Sequence, residues 1–355
     1  MMLLPGTDIR RVAKWGGKLL LAAALLLLIA DSIKSHSLLP LLHSVQPVLL
    51  LAALLLLPLN LWLQLCKWRL LVHSRFPGVP ASDLRASLLL GFTFGVVTPA
   101  RLGEFGGRAA GFRGKGLRTV DLFALVGLTA VDKFATMLVT VAIGVPGLLL
   151  FAWRHPFMDA SSLWLLLSAA ALLLAVGILL LRLRPGIASP SVPTAFPVRS
   201  SHGSVTTSAG LRALLRQRWA ELREMLRGVD RPQRLRLIGY SGLFYLTFLL
   251  QFFLLLAAFG PVQPLSALAG IVTIMLVKTI IPPVTLGELG IREGASVVVL
   301  GHAGILPAAA FNASLLLFAV NLLLPALAGL VLLLWIKPAR RRMSPASEPQ
   351  AESDA

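Results

Sequence analysis

Two stretches of this sequence place an acid and a base one helical turn apart behind a proline. Residues 99–108 read P-A-R-L-G-E-F-G-G-R and residues 283–292 read P-V-T-L-G-E-L-G-I-R. Both fit P-x-x-L-G-E-x-G-x-R without a gap. Glu104 and Arg108, like Glu288 and Arg292, stand at i and i+4, where side chains on one helix face meet. Pro99 and Pro283 break a helix, and Gly103, Gly106, Gly287 and Gly290 permit positive φ and close backbone approach. A helix restarting after such a turn offers free amides and the positive end of its dipole to an anion. Pairing keeps either charge from standing bare in a low-dielectric site. A lipid phosphate can compete for the arginine, and a cationic headgroup for the glutamate. A packing role, in which the pairs only satisfy each other, is the alternative.

Other charged residues stand in apolar surroundings. Asp132 and Lys133 lie mid-way along an apolar run. Sequence neighbours point to different helix faces, so each calls for a partner on another element. They read as a proton or headgroup relay, or as a structural ion pair between helices. Lys278 precedes Pro282 by one turn and can pair with Asp132 or Glu288. Glu293 follows Arg292 and can cap the next helix. Arg101 belongs to the first motif, as a site residue or as a signal of topology. His302, Asn312 and Asn321 read as hydrogen-bonding groups between helices. No metal-ligand spacing, cofactor motif or catalytic constellation occurs, and the lone Cys66 has no partner for an internal disulfide.

The elements that must position these residues are membrane helices. The chain has 355 residues, 57% hydrophobic and 14% charged, with a mean hydropathy of +0.83. A soluble domain is roughly a quarter charged. Six stretches, 16–33, 48–65, 120–143, 162–181, 237–259 and 311–335, are long enough to cross a bilayer as helices. The alternating short strands of a membrane β-barrel are not seen. The apolar run Leu19 to Ala30 leads into Asp31-Ser32-Ile33-Lys34 rather than a cleavage site, so it reads as a retained first span. Trp62, Trp68, Trp153, Trp164 and Trp335 fall near span ends and read as interfacial anchors.

Nearly all of the 33 lysines and arginines fall in five regions: the N-terminus, 67–85, 100–119, 182–236 and the tail after 336. The positive-inside bias puts these five in the cytoplasm, together with both termini. Both flanks of 84–108 are then on one side, so that stretch enters and returns. By the same count 266–310 begins and ends on the other side. Each half therefore has two spans, a re-entrant hairpin and a further span, and the halves are inverted. This is an all-α polytopic membrane protein of about six full spans plus two re-entrant hairpins, an architecture typical of secondary transporters. Residues 1–343 form one membrane domain, with halves 16–150 and 162–336. Within the basic connection 182–236, residues 211–229 have the spacing of an amphipathic surface helix. The tail 344–355 is polar and reads as disordered. The net charge of +18 reports topology and attraction to anionic headgroups rather than nucleic acid.

The strings T-P-A-R-L-G-E-F-G-G-R at 98–108 and P-P-V-T-L-G-E-L-G-I-R-E at 282–293 resemble the two signatures of the lysylphosphatidylglycerol synthase transmembrane-region family, also described as flippase-like membrane proteins. The resemblance covers about 10–336. It implies a region of a bacterial inner membrane protein that moves aminoacylated or other lipids between leaflets. Anionic or aminoacylated phospholipids, or polyprenyl and hopanoid lipids, are its implied ligands. It also implies roles in polar-head binding for Glu104, Arg108, Glu288, Arg292 and Glu293, with Asp132 and Lys133 where relatives often carry an acidic-basic pair. With so short a polar tail, the chain reads as a stand-alone member without the aminoacyltransferase domain. A lipid translocase, not an enzyme, is the expected function. A membrane-embedded transferase, or an accessory subunit of envelope-lipid synthesis, is the competing expectation. A homo-oligomer or an envelope-synthesis partner would suit either.

Overall fold

A computed structural model describes residues 45–112, 119–156, 158–182, 230–281 and 290–335. The expected first span, the surface helix at 211–229, the tip residues Pro283, Gly287 and Glu288, and the polar tail lie outside the described residues. Within them the chain is all-helical. Helix α1 covers Pro47–His73, and α2 (Ala81–Val96) and α3 (Gly103–Ala110) form the first hairpin. Then come α4 (Thr119–Arg154), α5 (Ala160–Arg182) and α6 (Arg231–Ala258). The second hairpin is α7 (Pro264–Ile280) with α8 (Ile291–His302). The last span joins α9 (Pro307–Phe318) to α10 (Leu324–Trp335) through a wide π-helical turn at Ala319–Leu323.

Among the described residues five helical stretches are long and apolar enough to cross a membrane. Helix α2 has 16 residues and α7 has 17. At 1.5 Å per residue each reaches only about 25 Å, short of the roughly 30 Å hydrocarbon core. Both hairpins are therefore built from helices too short to span, as the charge placement predicts.

Local chemistry sets the starts. Prolines occupy the first turns of α1, α7 and α9, where the missing N–H costs nothing. Asp230 and Gln233 form a capping box at α6. Asp159 accepts from the Ser161 and Ser162 hydroxyls and the Ser162 amide at the start of α5. Those hydrogen bonds hold its carboxyl well below the usual carboxylate range.

Packing follows a two-fold scheme. Helix α1 lies along α6, while α2 packs against α10 and α7 against α4. Each hairpin is thus covered by the last span of the other half. The register that lays Pro99 on Pro283 also lays Asn60 on Phe244 and Lys67 on Gln251. Asn60 Nδ2 donates to Gln251 Oε1 (2.7 Å), and Lys67 Nζ sits 5.1 Å from the centre of the Phe244 ring. One operation exchanges the two contacts, so the repeat seen in the motifs extends to the central helix pair. Asn321, in the wide turn, closes the polar node by donating to Gln251 Oε1 (2.7 Å). That is the inter-helix role expected of it. His302 Nδ1 meets the carbonyl of Val298, one turn back on its own helix.

Helix α1 continues two turns past its expected end. Trp68 is consequently buried rather than interfacial, and its Nε1 donates to Ser87 Oγ (3.1 Å). Trp62, Trp153, Trp164 and Trp335 remain exposed, as anchors should be.

Candidate functional site

The first hairpin brings four cations and two carboxylates together. Helix α3 supplies Glu104 and Arg108 one turn apart, and Arg108 Nη2 donates to Glu104 Oε1 (2.8 Å). Helix α4 supplies Asp132, whose Oδ2 accepts from Arg108 Nη1 (2.9 Å). Helix α1 supplies Lys67, whose Nζ lies 2.8 Å from Asp132 Oδ1 and donates to Thr136 Oγ1 (2.6 Å). Lys133 and Arg101 each approach Glu104 Oε2 to 2.7 Å. Asp132 and Lys133 thus take partners on other elements, as neighbours on a helix must.

The cluster has a sealed side and an open side. Lys67, Glu104, Arg108 and Asp132 are buried. The Arg108 guanidinium lies 4.8 Å from the Trp68 ring, a stacking that suits a weakly hydrated cation. The side chains of Arg101 and Lys133 are 18% and 39% exposed. A charge network this deep persists only because its members pair with one another.

The turn that carries Arg101 is strained. Ala100 and Arg101 have φ of 52° and 55°, in the left-handed region that non-glycine residues seldom enter. The expected positive φ at Gly103 and Gly106 is absent, because both lie within α3 with no left-handed turn there. Gly103, Gly107 and Gly111 instead press α3 onto α2, where a Cβ would strike Phe94 O, Leu90 O and the Ser87 backbone. Gly106 faces open space. The packing stripe is therefore Gly103, Gly107 and Gly111, the close-approach pattern of membrane helices.

The second motif is arranged differently. Gly290 does adopt a positive φ of 99°. Arg292 Nη2 donates to Glu293 Oε1 (2.6 Å) and its Nε to Ser314 Oγ (2.9 Å). Glu293 Oε2 accepts the Gly290 amide (2.8 Å), the capping role expected of it. In the first motif the Gly103 amide is likewise taken, by Thr98 Oγ1 (2.7 Å). At each restart one amide is thus taken by a side chain of the motif itself. Lys278 is half-buried in the last turn of α7, and both Asp132 oxygens are held by Lys67 and Arg108. Among the described residues no group of three or more His, Cys, Asp or Glu could hold a metal ion.

Lys67 was not among the expected site residues. Counted as a cytoplasmic charge, it lies inside the protein because α1 carries it inward. Asn60 and Lys67 are seven residues apart and share one helix face, which is the signal that points to it. Arg108 likewise belongs to the interior rather than to topology. Arg69, Arg75 and Arg85 still leave that side of the hairpin basic.

No curated protein matches the chain closely enough to count as a relative. The sequence model of the lysylphosphatidylglycerol synthase TM region, in contrast, matches residues 16–329. With both motifs, the two hairpins and the buried charge cluster inside those bounds, the chain belongs to the lysylphosphatidylglycerol synthase TM region family.

Proposed function

We propose that the chain is a lipid translocase of the bacterial inner membrane, carrying the polar head of a lipid between leaflets while its acyl chains stay in the bilayer. The reading rests on one observation above all. Six ionisable side chains on α1, α3, α4 and the turn before α3 meet inside an all-helical membrane protein, and two of them remain partly exposed. Ionisable groups at membrane depth are costly and mark pathways for polar cargo. The two-fold packing supports movement of one half against the other, with short hairpins as the moving parts. The basic flanks of the first hairpin favour a cytoplasmic opening for that side, with both termini on the same face. No step of bond chemistry is assigned to the cluster.

The test is transbilayer movement of fluorescent phospholipids in liposomes, read by dithionite quenching. The wild-type protein is expected to move at least one phospholipid class. Glu104→Gln and Arg292→Ala, still monodisperse after reconstitution, are expected to slow that movement at least tenfold. Movement unchanged in both variants would remove the motifs from the pathway. A wild-type protein inert toward anionic, zwitterionic and aminoacylated lipids alike would overturn the translocase reading.

A further inference from the structure

The charges of the first-hairpin cluster do not balance. Among the described residues, Lys67, Arg101, Arg108 and Lys133 face only Glu104 and Asp132. The inner half is matched: Asp132 lies between Lys67 and Arg108, and Arg108 also holds Oε1 of Glu104. The outer half is not. Arg101 Nη2 and Lys133 Nζ both crowd one atom, Glu104 Oε2, at 2.7 Å each. One carboxylate oxygen cannot neutralise two cations, and uncompensated charge in a low-dielectric site is unfavourable.

Two further observations place the unmet need on the open side. Arg101 and Lys133 are the members of the cluster that reach solvent. The backbone holds Arg101 at positive φ, next to Ala100 in the same strained conformation. Strain of this kind persists where the surrounding structure enforces it, and it clusters at ligand sites.

We propose that Arg101 and Lys133 bind the phosphate of a lipid whose head is net negative, and that they select against aminoacylated, cationic heads. The proposal rests on the translocase reading for its cargo, and it adds the charge class of that cargo. A phosphodiester has two free oxygens, so it offers one to the guanidinium and one to the ammonium and relieves the crowding on Glu104 Oε2. A lysyl or alanyl ester brings an ammonium into the same space, where the two outer cations repel it. The carboxylates that would attract it stand behind Arg101, Lys133 and Arg108.

Binding, not transport, tests this. The full-length protein in neutral detergent is titrated with short-chain phosphatidylglycerol, phosphatidylcholine and an aminoacylated phosphatidylglycerol, with thermal stabilisation as the readout. Phosphatidylglycerol is expected to bind about tenfold or more tightly than the aminoacylated lipid, and raising salt should narrow the gap. Arg101→Gln and Lys133→Gln should shrink it, and Lys133→Arg should retain it. Equal affinities, a preference for the cationic head, or a gap that survives both glutamine variants would overturn the proposal. Should those variants unfold, the salt response of the wild type decides: a gap indifferent to salt overturns it. Inorganic phosphate serves as the competing source. Displacement of phosphatidylglycerol only at far higher phosphate concentration supports a lipid head, and displacement at equal concentration overturns it. Parallel liposome assays separate this from the function proposed above. Charge-selective binding without movement defeats the translocase and leaves the site. Movement without charge selection defeats the site and leaves the translocase.

Discussion

The two hairpins share a sequence string and a packing scheme, yet their arginines meet different company. Arg108 stands between two carboxylates and beside a tryptophan ring, in a cluster that joins α1, α3 and α4. Arg292 is satisfied by its neighbour Glu293 and by the hydroxyl of Ser314. In the register of the motifs, Lys67, Asp132 and Lys133 correspond to Gln251, Leu316 and Leu317. Among the described residues the six-membered charge cluster therefore lies in the first half, at positions whose counterparts on the central helix and last span of the second half are neutral or apolar.

That contrast is open to attack by substitution. Asp132→Ala leaves Lys67 and Arg108 facing each other without their carboxylate. The expected loss is about 3–5 kcal/mol, seen as a lower unfolding midpoint in detergent. Arg292→Ala should cost less, about 1–3 kcal/mol, because Glu293 keeps the Gly290 amide and the Ser314 hydroxyl. Equal losses would mean that the two sites are energetically alike, whatever their charge. Gly107→Ala drives a Cβ into the Leu90 carbonyl. A loss of about 1–2 kcal/mol is expected, with faster amide exchange confined to α2 and α3. Exchange that spreads evenly over both hairpins would place the glycine stripe outside the first hairpin's own stability. The smallest effect has the opposite sign. Ala100→Gly relaxes the left-handed backbone and should stabilise the fold by about 1 kcal/mol. Because it loosens the turn that aims Arg101, phosphatidylglycerol binding should weaken at the same time. Tighter binding would show that the strained turn does not position that side chain.

Much of the frame is legible in the sequence, because hydrophobic length and the distribution of basic residues answer to the bilayer. The spans after the first, both hairpins, the Glu104–Arg108 pair and the capping role of Glu293 are all readable in this way. What escapes is whatever depends on the depth of an individual side chain. Charge counting treats every lysine and arginine as wet, so Lys67 and Arg108 register as topology signals although each is neutralised inside the protein. Trp68 sits near the expected end of a span, yet α1 runs on and buries it. Among the motif glycines, spacing alone does not say which neighbour the helix will touch. The structure selects Gly107 and Gly111 over Gly106, because α3 meets α2 along an i, i+4 row. The strain falls on Ala100 and Arg101, two residues whose identities give no hint of left-handed backbone.

The exchange of covering helices between the halves also bears on how the chain is made. Every member of the charge cluster, Lys67 through Lys133, lies in the first half. Its ion pairs can form as soon as α4 has been synthesised, while the Phe244 ring beside Lys67 follows on α6. The outer face of α2 has no such early partner. Its packing surface is α10, where the Thr93 hydroxyl donates to the Ala326 carbonyl (2.8 Å) and Gly329 abuts Leu89. That face must wait in lipid, or under a chaperone, until the last span leaves the ribosome. The nascent protein therefore neutralises its buried charges early and closes its hairpin last, so truncation or stalled translation before α10 would leave an assembled ion cluster inside an unfinished shell.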